Sequence, residues 1–145
     1  MQNLPHTYNV NVSASPAGNL DVNTDNVDQL AVAPPIEFDG PGDQWSPESL
    51  LLASASSCMV LSFRAIAKMS GLEWRSIECH TSGILDKVER QMQFTQLTTV
   101  AKLVIAADAD QEKAIATLIK AEKTCLISNS LKAQSHLEYD VIVEK

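Results

Sequence analysis

No lysine or arginine occurs before Arg64. Over that stretch seven carboxylates stand unopposed (Asp21, Asp25, Asp28, Glu37, Asp39, Asp43 and Glu48), whereas the remaining 82 residues balance 11 acids against 11 bases. A half this acidic offers nothing to phosphates, so nucleic acid is excluded as the expected partner. An anionic membrane face is disfavoured for the same reason. Uninterrupted apolar runs of the roughly 18 residues needed for a membrane span are lacking. The opening "MQNLPHTYNVNV" has neither a basic n-region nor an apolar h-region, so no signal peptide is read and the cytoplasm is the expected compartment. Cysteine is scarce as well. Three residues, Cys58, Cys79 and Cys125, are odd in number and widely spaced, which is no disulfide framework. In a reducing compartment they are free thiols, packing residues or a redox pair.

Other signatures are missing too. No CxxC or HxxxH accompanies the neighbours Cys79 and His80, whose side chains would point to opposite faces of a strand, so no metal site and no cofactor is expected. No GxSxG elbow supports a serine hydrolase. Repeats and linkers are absent, and 145 residues suit one domain spanning 1–145.

What is present reads as an α+β chain. "TYNVNVS", "LDVNT" and "QLAVA" are short strand candidates separated by the turn "SPAGN". "PPIEFDGPGDQ" is a loop by composition. Ser46, Pro47 and Glu48 make a clear helix start: an N-cap, a proline at the first helical position and a negative charge at the positive end of the dipole. The helix runs to about Ser70, with Gly71 to stop it. It carries no charge from Leu50 to Phe63 and is expected to be buried on most sides. "EWRSIECHTSGIL" and "FTQLTTVAKLVIAA" alternate as strands, with Leu97, Thr99, Ala101, Leu103 and Ile105 on one face and a charged connection, "DKVERQM", between them. A second helix from about Asp110 to Cys125, with Ile115, Leu118, Ile119 and Glu122 on one stripe, precedes a last strand, "HLEYDVIVE".

Chemistry rests with the thiols. On its helix alone Cys58 reads as a small buried hydrophobe, since a thiol in apolar surroundings reacts poorly. Cys125, at the end of the second helix with Lys123 and Lys132 near in sequence, adds a second thiol. Two thiols on packed helices could form a peroxidatic and resolving pair, one oxidised to sulfenic acid and the other condensing with it. Cys79 shares a strand face with Ile77 and reads as packing.

"SPESLLLASASSC", with "AEKTCLISNSL" placing Cys125 67 residues beyond Cys58, resembles the paired motifs of the OsmC/Ohr family of thiol peroxidases. That resemblance implies antiparallel sheets packed on two main helices in an intertwined homodimer, with the active site at the subunit interface. It implies Cys58 as the peroxidatic thiol, Cys125 as the resolving thiol, and Glu48 as the carboxylate that orients an activating arginine. The implied reaction reduces an organic hydroperoxide to an alcohol, and a dithiol, such as a lipoyl-containing protein, then reduces the enzyme. The alternative is an OsmC-like dimer that binds a small apolar ligand with little or no turnover. The family's arginine lies in the N-terminal strands, where this chain has none; Arg64 and Arg75 are the candidates to replace it. Glu48 and Cys58 are ten residues apart, about 15 Å along one helix, so a shared site would draw them from two subunits or join them through a bridging side chain.

Overall fold

A computed structural model describes all 145 residues, which form two compact units, Met1–Leu50 and Leu51–Lys145. In the first, β1 (Asn11–Ser13), β2 (Leu20–Asn23) and β3 (Leu30–Val32) make an antiparallel meander in that order. Its strands are short and its apolar interior is small, with Val32 and Ala33 the hydrophobic residues buried there. The proline-rich segment contains a single 3-10 turn, Ile36–Phe38, and then returns to β3, where the Ala33 amide donates to the Trp45 carbonyl at 2.9 Å. Gly40 permits that return, because a side chain there would overlap the Pro34 carbonyl.

The long helix α1 (Pro47–Ser70) is fixed at both ends. The Ser49 amide donates to Ser46 Oγ at 3.1 Å and the Ser46 amide to Ser49 Oγ at 2.9 Å, a capping box with serine in place of the usual glutamate. At the other end Gly71 takes φ +69°. The Leu72 amide there reaches the Ala67 carbonyl at 2.9 Å and the Gly71 amide reaches that of Lys68 at 3.4 Å, closing a Schellman motif.

Burial of α1 differs from expectation. One stripe, Ala55, Met59, Phe63 and Ala67, is buried, while Leu61 is 59 % exposed. An 18-residue window of this helix has mean hydropathy 1.7, long and apolar enough by composition to cross a membrane. The sequence reading missed this because serines interrupt every apolar run.

In the second unit β4 (Trp74–Val88), β5 (Gln91–Ala106) and β6 (Gln134–Glu144) form one sheet in that order. β4 and β5 are antiparallel through a two-residue turn, Glu89 and Arg90, both at positive φ. β5 and β6 are parallel, where the family resemblance implied antiparallel sheets. The chain between them crosses over through α2 (Gln111–Lys123) and the single turn α3 (Leu126–Asn129), and a crossover returns the strand in the same direction. Leu97, Thr99, Ala101, Leu103 and Ile105 share the buried face of β5 as expected.

α2 packs on β5 and β6 through Ala114, Thr117, Leu118 and Ala121. The expected stripe was displaced: small side chains let the helix approach the sheet closely, so Ile119 is left 38 % exposed. Asp110 caps α2, its side chain accepting from the Lys113 amide at 3.0 Å. Asp110→Ala should cost about 1 kcal/mol, read as a lower urea midpoint with unchanged slope; no change would show that the cap carries no stability.

Candidate functional site

Alongside β4, α1 runs in the opposite direction, and three contacts fix its register. Leu52 lies against Gly83, where an added Cβ would come within 2.9 Å of Leu52 Cδ2. Ser56 Oγ donates to the Cys79 carbonyl at 3.5 Å. Phe63 meets Trp74 edge-to-face with ring centroids 5.3 Å apart. Gly83 is therefore a spacer: it brings the helix down onto the strand at Leu52, nearly two turns before Cys58.

All three thiols are free. Cys79 is half-buried, packed with Ile77 against the core, while His80 beside it is exposed. Burial pushes the Cys79 thiol up from its ordinary range, because a thiolate there would lose its hydration. An open groove of about 360 Å³ lies beside it, lined by Ser56, Ser57, Val60, Leu61 and Cys79. Cys58 lies on the other flank of α1: it follows Ser56 by two residues, about 200° round the helix.

Cys125 was expected at the end of the second helix. It is 1 % exposed instead, held at the N-cap of α3. Its Sγ lies 3.7 Å from the carbonyl oxygen of Ala55. Ala55 precedes Cys58 by three residues, and a helical carbonyl points along the axis toward the residue four further on. Cys125 therefore meets α1 within one turn of Cys58, and both pack on one apolar cluster with Met59, Ala101 and Leu118. Lys123 and Lys132 are exposed.

The third residue singled out, Glu48, sits in the first turn of α1. Its Oε2 is buried and has no hydrogen-bond partner, an arrangement that is costly for a carboxylate. Arg75 pairs with Glu144 at 3.7 Å on the exposed sheet surface, and Arg64 is exposed on α1. One residue that sequence reasoning passed over is Ser128, whose Oγ lies 3.4 Å from Cys125 Sγ. The signal available was its position one turn beyond the thiol.

Comparison with known proteins agrees with this architecture. Residues 40–140 match the family described as OsmC-like protein. The uncharacterized protein YmaD of Bacillus subtilis is 28 % identical over 117 residues, 79 % of this chain and 78 % of its own length. An OsmC-like protein of unknown function from Vibrio cholerae superposes with TM-score 0.87 at 16 % identity, covering 94 % of this chain and 100 % of the other. An organic hydroperoxide resistance protein, OsmC, from Legionella pneumophila superposes with TM-score 0.72 at 22 % identity, covering 97 % and 100 %. The match spans both thiols and Glu48, and this chain belongs to the OsmC-like protein family.

Proposed function

We propose that this protein reduces organic hydroperoxides to alcohols, with Cys58 as the attacking thiol and Cys125 as the resolving one. The observation that carries the reading is the seat of Cys125 Sγ against the Ala55 carbonyl, one turn from Cys58. The Cys58 thiolate attacks the terminal peroxide oxygen, forming an S–O bond as the O–O bond breaks; the leaving alkoxide takes a proton and departs as alcohol. Cys125, deprotonated, then attacks the Cys58 sulfur, so that an S–S bond forms, the S–O bond breaks and hydroxide leaves as water. A dithiol, lipoyl-containing or otherwise, returns both thiols, in a reducing compartment such as the cytoplasm.

The working unit in this reading is a homodimer in which 1–145 acts as one domain. α1 leaves an apolar side uncovered, with Leu61 more than half exposed, and a second copy of this chain would bury it. Glu48 would fix a cation supplied by that copy, for which Arg64 is free and Arg75 is already engaged by Glu144.

Reduced protein mixed with cumene hydroperoxide should form a Cys58–Cys125 disulfide within seconds, mapped by peptide mass spectrometry, and Cys125→Ser should hold a trappable Cys58 sulfenate. Cys58 remaining reduced in millimolar oxidant would end the peroxidase reading.

A further inference from the structure

Apart from Ser56, which reaches the Cys79 carbonyl, the hydrogen-bonded hydroxyls in and just past the helices of this protein share a habit. Ser54, Ser57, Ser70 and Ser130 each donate to a backbone carbonyl three or four residues earlier. Thr117 and Thr124 do the same, the ordinary outlet for such a side chain. Ser128 departs from it. Its hydroxyl donates to Cys125 Sγ at 3.4 Å, across one turn of α3.

Cys125 is buried and holds two complementary contacts. A thiol has one proton and weak acceptor capacity on sulfur. The proton is directed to the Ala55 carbonyl at 3.7 Å, and the sulfur accepts from Ser128. Once the thiol proton is lost, the Ala55 contact turns from attractive to repulsive, since a carbonyl oxygen cannot donate. The Ser128 hydroxyl then remains as a donor to the anion, and hydrogen bonds to charged groups are about twice as strong as neutral ones. The backbone of α3 holds the donor in place, the Asn129 amide donating to the Cys125 carbonyl at 3.0 Å.

We infer that Ser128 is the positioning residue of the resolving step, orienting Cys125 Sγ and stabilising its thiolate while it attacks sulfur on Cys58. The inference rests on the pairing of Cys58 with Cys125 proposed above, and extends it to a residue that acts through Cys125 without touching the hydroperoxide. Its chemistry is that of any thiolate–disulfide or thiolate–sulfenate attack: the serine keeps its own proton, and the proton of Cys125 leaves to solvent before the S–S bond forms.

The test separates this step from peroxide reduction. In a Cys79→Ser background, Cys58 is converted to its mixed disulfide with 2-thiopyridine by 2,2′-dithiodipyridine. Attack by Cys125 then releases a second thiopyridone, followed by absorbance in a stopped-flow mixer. Ser128→Ala should slow that second release by about 10- to 100-fold and leave the first unchanged, while Ser128→Thr, which keeps a hydroxyl, should restore most of the rate. A peroxide arm repeats the comparison, with sulfenate forming at the same rate in all variants and condensing slowly only in Ser128→Ala. Equal second-phase rates in Ser128→Ala and the parent, or a slow phase that threonine does not recover, would overturn the role of Ser128. A serine-dependent second release without any oxidation of Cys58 by peroxide would uphold Ser128 and refute the peroxidase reading alone.

Discussion

Cys58→Ser should abolish hydroperoxide reduction, lowering turnover with a dithiol reductant to the uncatalysed background, a loss of at least about 10³-fold. The reason is chemical rather than structural. Serine is close to cysteine in size, so the half-buried position on α1 should tolerate it, but a hydroxyl is neither acidic enough to attack a peroxide oxygen nor able to form a sulfenate. Cys125→Ser should behave differently: one equivalent of alcohol is released per Cys58, and turnover then stops as the sulfenate waits or oxidises further. Peroxide consumption and thiol state measured together distinguish the two. Cys58→Ser protein that still consumes hydroperoxide at the parental rate would remove Cys58 from the mechanism.

Both thiols of the proposed cycle are visible in the sequence, but their surroundings are legible to different degrees. The start of α1 is written in local chemistry: Ser46, Pro47 and Glu48 satisfy a helix N-terminus by cap, dihedral preference and charge, and α1 begins at Pro47. The buried face of β5 is equally local, because period-2 alternation leaves one solution. The β4–β5 turn was placed too wide for the opposite reason. Its two central residues, Glu89 and Arg90, adopt positive φ without the glycine or asparagine that usually announces such a turn. The packing side of α2 was misjudged because hydrophobicity favoured Ile115 and Ile119, whereas distance to the sheet favoured Ala114 and Ala121. The burial of Cys125 was illegible: it depends on α3, one turn of helix too short to have a period, and on the approach of Ala55 from 70 residues away.

The largest effect on stability is expected at Phe63. It is fully buried, meets Trp74 edge-to-face and belongs to one buried cluster with Met59, Leu103, Ile105 and Leu118. Phe63→Ala removes the ring and leaves a cavity that a helix pinned by a capping box and a Schellman motif cannot collapse to fill. The cost should be about 3–5 kcal/mol, a large part of the roughly 5–15 kcal/mol that holds a domain folded, and should lower the melting temperature by about 10–20 °C. Because the same helix carries Cys58 a little more than one turn earlier, the surviving folded fraction should also form its disulfide more slowly. Leu61 is the control within α1. Two residues before Phe63 but mostly exposed, it should cost within about 0.5 kcal/mol on truncation to alanine when the chain is dilute and monomeric. A penalty for Leu61→Ala that grows with protein concentration, with none for a neighbouring exposed polar residue, is the result expected if a second copy covers this side of α1. Equal, concentration-independent costs for Phe63→Ala and Leu61→Ala would contradict both the single buried stripe and the dimer built on its uncovered side.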